Sequence, residues 1–142
     1  MRVSVTALAA VIAVCVIAGP AFTQDSNAAR ESKTWCAGGQ SWSSVGRHLG
    51  DPIRVKARVA SVVYARRSSG RPTFINLGRR YPHPKRVTLV IWGEDRANFP
   101  RAPERMFRRG MIVCAQGIPS LFRGVPQIEI AVWDPQDRLL SF

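Results

Sequence analysis

Between Ile53 and Tyr64 the chain runs IRVKARVASVVY. Up to Val59 it alternates strictly: Ile53, Val55, Ala57 and Val59 fall on one side, Arg54, Lys56 and Arg58 on the other. A period of two belongs to an extended strand with one face buried, here with a basic outer face. The alternation breaks near Ser61 to Val63, where a bulge is expected to re-aim the following side chains. Any fold for this chain has to seat one long strand with a single apolar face.

The rest of the chain supplies shorter strands separated by turn signals. Thr73–Leu77 (TFINL) follows a Gly70-centred turn and is expected to pair with the long strand as a hairpin. Val87–Trp92 (VTLVIW) is apolar on both faces and reads as a central or covered strand. Met111–Gly117 and Gln127–Trp133 follow, with Ser120–Pro126 between them read as a turn and Asp134–Phe142 as a short tail. Pro100 and Pro103 limit the Glu94–Arg109 segment to short helical turns. Ser41 is placed to cap a short helix carrying Trp42, Val45 and Leu49 on one face. The strands near 53–64, 73–77, 87–92, 111–117 and 127–133 cannot cover both faces of an open sheet in so short a chain. Closure into a small barrel removes the edges. The expected class is all-β: a five-stranded OB-fold barrel with a short helical link between strands three and four. Its inward set includes Val55, Val59, Ile91, Val113, Ile128 and Ile130.

The N-terminus reads differently. Arg2 precedes an uncharged apolar run, Val3 to Ala18, and then Gly19, Pro20 and Ala21. The run is shorter than the roughly 20 apolar residues of a bilayer-spanning helix, and small residues follow it. Residues 1–21 are therefore expected to be a secretory signal peptide, 22–34 a flexible polar segment and 35–142 the working domain, secreted or periplasmic and with no membrane span after processing. Export permits a disulfide, and Cys36 and Cys114 are the cysteines left after processing. Cys114 lies in a strand and Cys36 just ahead of the barrel beside Trp35, so a bridge would pin the N-terminal arm.

The stretch from Gly50 to Phe99 carries Gly70–Pro72, Thr73–Gly78, Tyr81–Pro82 and Ile91–Gly93, and Gly124–Ile130 (GVPQIEI) follows later. In these motifs the chain resembles the OB-fold domains of secreted bacterial proteins, including those found with extracellular nucleases. The likeness covers about residues 46–132. It implies an OB barrel and, by analogy of fold alone, nucleic-acid binding. The cysteine pair and the arginine surplus depart from the generic family member.

Charge points the same way. The chain carries 21 Lys plus Arg against 9 Asp plus Glu, a formal +12, and most of the cations are arginine. Such an excess attracts polyanions. Hydrolytic chemistry needs gathered acids, bases or metal ligands. Here the acids are scattered, Glu94 and Asp95 are adjacent residues that point apart in extended chain, and His48 and His83 are isolated. The expectation is a protein that is not an enzyme, without metal or cofactor. Single-strand binding by an OB barrel needs a cationic groove with stacking rings. The candidate residues are Arg54, Lys56, Arg58, Tyr64, Arg66, Arg67, Arg71, Arg79, Arg80 and Tyr81, with Arg123, Trp92 and Phe122 as further candidates and Phe74 expected inside. Asn76, a poor strand former, is expected to tie down the 78–84 loop. The partner is expected to be nucleic acid or another polyanion. The alternative is a non-catalytic exported scaffold that contacts an envelope protein.

Processing is directly testable. Intact-mass analysis of exported protein should show a chain beginning near Phe22 or Gln24; a full-length, membrane-retained product would overturn the signal-peptide reading.

Overall fold

The computed structural model describes residues 35–134 and 138–140. The expected signal peptide and polar lead-in lie outside the described residues. Among those described, no helix is long and apolar enough to cross a membrane. The protein is mostly β, a mixed sheet of nine strands: β1 Gln40–Ser41, β2 Ile53–Tyr64, β3 Thr73–Leu77, β4 Val87–Ile91, β5 Ile112–Gly117, β6 Ser120–Phe122, β7 Val125–Glu129, β8 Val132–Asp134 and β9 Arg138–Leu140. Two 3₁₀ turns, Trp42–Arg47 and Asp95–Asn98, and one short helix, α1 Pro103–Met106, fill the links.

The long alternating strand organises the sheet. The first half of β2 pairs with β5 from Ile53↔Gly117 to Arg58↔Ile112, while β1 joins its other edge at Val55 and Lys56. The register then shifts between Val59 and Ser61, and the second half pairs with β3 from Ser61↔Asn76 to Tyr64↔Thr73. The expected bulge is therefore where the alternation failed. It turns β2 from one group of strands to the other. β3 pairs with β4 and β4 runs parallel to β7, so the groups share a core of Val55, Val59, Ile75, Leu77, Leu89, Ile91, Val113, Ile128 and Ile130, all essentially buried. The expected inward set lies wholly within it.

The strand count and the closure need correction. Nine strands are present among the described residues where five were expected, and the sheet is an open path from β6 to β8 rather than a closed barrel. The reason lies in the C-terminal segment read as a tail. Its β9 runs parallel to β5 at Cys114↔Arg138 and Ala115↔Leu139, taking the edge that β5 would otherwise offer for closure. The expected last strand is two, β7 and β8, parted at Ile130 and Ala131, whose N–H groups donate to Val90 and Leu140 carbonyls instead. The expected 120–126 turn contains β6, paired with β7 as a hairpin about Gly124.

The expected helix after Ser41 is a 3₁₀ turn that stops at Arg47, so Leu49 does not share the face of Trp42 and Val45 as expected. Ser41 Oγ accepts from the Ser43 N–H, and Val45 is fully buried, while Leu49 turns outward. Trp42 packs against the core and lies over Gly78, whose φ of +70° and lack of Cβ let the chain pass the indole. Pro103 opens α1, where its missing N–H costs nothing.

Cys36 and Cys114 are bridged, with Cα atoms 5.7 Å apart and a separation of 78 positions in sequence. That spacing lies inside the range disulfides adopt. Thiol titration of denatured, unreduced protein should find neither of these thiols free. The double variant Cys36→Ser, Cys114→Ser should lose roughly 2–4 kcal/mol of unfolding free energy in urea titrations, because the unfolded chain regains the freedom of a long loop.

Candidate functional site

The bulge divides the outward face of β2 into two environments. Before it, Arg54, Lys56 and Arg58 share one side of the strand, as the alternation required. Arg54 is not free there: its Nη1 donates to the Trp35 carbonyl at 2.8 Å, its guanidinium lies 4.4 Å from the Trp35 ring centre, and Nη2 reaches Gln116 at 3.4 Å. Lys56 stands opposite Cys114 and beside Gly39. The disulfide-bonded arm thus engages Arg54 while Lys56 stays exposed. Arg58, just before the bulge, is exposed, with Nη1 donating to the Gly110 carbonyl at 2.6 Å.

After the bulge the outward residues are Ser61 and Val63, and the neighbouring strands extend the surface. Register places Val63 beside Phe74, and places Ser61, Asn76, Thr88 and Gln127 in a second row across β2, β3, β4 and β7. Three of the four are bonded together: Asn76 Nδ2 donates to Ser61 Oγ, and Asn76 Oδ1 accepts from Thr88 Oγ1, both at 3.0 Å. Asn76 therefore fastens three strands together and not the 78–84 loop as expected. Phe74 stands on this outer face, half-exposed, rather than inside.

Three loops wall this surface into a groove of about 690 Å³. The β2–β3 turn contributes Ala65 and Ser68, the β3–β4 loop Tyr81, Pro82, Pro84 and Arg86, and the β6–β7 hairpin Phe122 and Arg123. Tyr81 and Phe122 are well exposed. Each ring has a guanidinium beside it, Arg86 at 5.0 Å from Tyr81 and Arg123 at 5.4 Å from Phe122. Arg86 Nη1 also donates to the Pro82 and His83 carbonyls at 3.2 and 2.9 Å, which fixes the loop that carries Tyr81.

A second groove, about 720 Å³, lies on the other flank of the β3–β4 loop. Arg58, Arg79, Arg80, Tyr81, His83 and Arg109 are among its lining. The sequence candidates therefore separate. Arg58, Arg79, Arg80 and Tyr81 come together around this loop, and Tyr81 borders both grooves. Arg66, Arg67 and Arg71 are exposed in the β2–β3 turn and line neither groove. That turn folds onto Trp92 and Gly93, whose N–H donates to the Gly70 carbonyl at 2.7 Å. Tyr64 also lines neither groove; the Arg96 guanidinium sits 3.8 Å from its ring centre.

Arg86 and Arg109 were missed as site residues. Each sits at the end of a loop, where no alternation marks a face, and only the register of the flanking strands places it at a groove. The acids hold one surprise too. Burial, and then Glu94 and Glu129, raise the Asp95 carboxyl above its ordinary range, so the fold brings a third carboxylate toward a pair that looked isolated.

No protein-family model matches the chain, and no curated protein sequence matches it. Among solved structures it is similar to the OBody AM1L10 bound to hen egg-white lysozyme, at 16% identity over 64% of this chain and 85% of that one, with a TM-score of 0.42. It is similar to a Klebsiella pneumoniae lipoprotein proposed to bind nucleic acid, at 10% identity over 74% and 83%, TM-score 0.42. It is also similar to the OBody AM3L09 bound to the same lysozyme, at 15% identity over 72% and 88%, TM-score 0.37.

Arg96 holds the end of β2 through more than the Tyr64 ring. It pairs with Glu104 at 2.9 Å and bonds Thr73 Oγ1. The hydrogen bond from Arg96 keeps the Glu104 carboxyl below its ordinary value of 4.5. A carboxylate depressed in the folded state stabilises above its unfolded pKa and loses that contribution as pH falls through the folded value. Glu104→Gln should therefore be less stable than wild type near pH 7, by a few tenths to about 1 kcal/mol, with the gap closing as the pH is taken down past 4.5. Urea midpoints across that range measure it; a gap that widens toward acid would contradict the assignment.

Proposed function

We propose that this chain is an exported, non-catalytic domain that binds single-stranded nucleic acid with little sequence preference, in the groove over β2, β3, β4 and β7. The observation that carries the reading is the convergence of Phe74, Tyr81 and Phe122 with Arg86 and Arg123 around one sheet face. Rings of this kind stack on bases, at about 1–3 kcal/mol per base, and guanidiniums beside them take the phosphates. The placement, on a strand face walled by hairpin loops, is the one an OB-like domain uses for oligonucleotides. A duplex keeps its base faces in its own stack, so the rings favour a single strand.

Low specificity follows from the floor. Ser61, Asn76 and Thr88 already bond one another, which leaves Gln127 as the polar side chain of that row open to a base edge. The formal charge of +12 adds long-range attraction, to which the exposed Arg66, Arg67 and Arg71 contribute at low salt. Export is supported by the Cys36–Cys114 bridge, a bond that persists in oxidising compartments.

Electrophoretic shift series with single- and double-stranded DNA and RNA, at about 50 and 200 mM salt, should show single strands bound more tightly and binding weakened steeply by salt. Phe74→Ala with Phe122→Ala should weaken single-strand binding roughly tenfold or more, and the Arg66, Arg67, Arg71→Ser triple should weaken it mainly at the lower salt. Absence of any shift at micromolar protein would defeat the reading. The exposed Leu121 and Phe122 on the edge strand β6 would then favour a scaffold that takes a protein partner by strand addition.

A further inference from the structure

The second groove is stitched together from distant parts of the chain. The Gly78 N–H donates to the Arg58 carbonyl at 3.1 Å, so the β3–β4 loop is bonded to the β2 bulge. On the other wall, Val59 donates to the Met111 carbonyl and Gly110 donates to the Val59 carbonyl, both at 2.8 Å, which ties the turn carrying Arg109 to the same bulge. Arg58, Arg79, Arg80 and Arg109 are thereby held around one depression, and no Asp or Glu lines it. The ion pair between Arg96 and Glu104 lies elsewhere. Gathering like charges without a counterion is unfavourable, and an anion seated among them removes that cost. Guanidiniums match phosphate oxygens in a planar, two-pronged geometry.

We propose that this arginine groove is a phosphate-chain site that grips a phosphodiester backbone without contacting bases. For the identity of the natural chain it rests on the single-strand reading above. Tyr81, Pro82 and Pro84 line both grooves. A strand whose bases stack against Phe74 and Phe122 is thus led over this loop, and its following phosphates meet Arg79, Arg80 and Arg109. The site has two halves with different chemistry: ring faces for bases on one flank of the loop, cations for phosphates on the other.

The halves are separable with a chain of phosphates that has no bases. Inorganic polyphosphate and a single-stranded oligonucleotide would each be titrated into the full mature protein by calorimetry, at several salt concentrations. The variant Arg79→Ser, Arg80→Ser, Arg109→Ser should lose at least tenfold in affinity for both. Its log-affinity against log-salt slope for the oligonucleotide should fall by about 2, as three fewer neutralised phosphates require. A charge-matched control, Arg47→Ser, Arg101→Ser, Arg105→Ser, should lose much less. Phe74→Ala with Phe122→Ala should leave polyphosphate binding unchanged. Should the groove triple unfold by circular dichroism, Arg109→Ser alone should still lose more than Arg101→Ser alone. Equal losses in groove and control variants, or no polyphosphate binding by wild type, would overturn the phosphate-chain site. Polyphosphate binding that survives while the oligonucleotide fails to bind would uphold this groove and defeat the single-strand reading, so the two failures are distinguishable.

Discussion

The bulge between Val59 and Ser61 is the constraint on which the rest of this structure depends. A strand with one apolar face can serve one sheet. By inserting a residue out of register, β2 serves β5 and β1 with its first half and β3 with its second, and keeps Val55, Val59 and Val62 toward the same core. Both grooves begin at this point. Val63, just beyond it, belongs to the aromatic groove, and Arg58, Val59 and Ala60 belong to the arginine groove. A straight strand would have carried the outward row of Arg54, Lys56 and Arg58 on past Val59 in the same register, without the shift that seats Ser61 opposite Asn76.

The arginine surplus is divided by what surrounds each side chain. Arg54 and Arg96 are held by ring faces, carbonyls or a carboxylate, so their charge is largely spent within the fold. Arg86 is intermediate, bonded to its own loop while lying beside Tyr81. Arg79, Arg80 and Arg109 are exposed around a depression without acids. Formal charge alone gives no such sorting, since every guanidinium counts equally in it. What separates structural from available arginines is whether an acceptor lies within reach, and that is a property of the fold.

The same division explains what was legible in the sequence. Period-two alternation located β2, and short apolar runs located β3, β4 and β5, because burial on one or both faces writes itself directly into residue order. Failure came where pairing rather than burial defines a strand. β6 has only exposed residues, and the segment of β9 reads as a tail, because partners on β7 and β5 supply its ladder. Phe74 was misplaced for a related reason. A one-residue choice of register decides its face, and an aromatic in an apolar run gives no hint of which way it points. Asn76 was rightly seen as out of place in a strand, but its partners Ser61 and Thr88 sit on two other strands and leave no trace in local spacing.

The self-bonded row of Ser61, Asn76 and Thr88 bears on function as well as on the sheet. A polar row on a ligand-facing surface has two uses: it reads a partner's hydrogen-bonding edge, or it satisfies itself and leaves shape and charge to do the binding. Here Asn76 gives one amide hydrogen and one carbonyl lone pair to its neighbours, and Thr88 gives its hydroxyl hydrogen. Breaking these bonds to engage a ligand would leave buried groups unpaired, at about 1–3 kcal/mol each, which offsets most of what a new polar contact returns. Ligands that leave the row intact and cover it with an apolar or aromatic face incur no such cost. On the proposed reading the groove holds a strand by the faces of its bases and by its phosphates, both of which are common to every sequence.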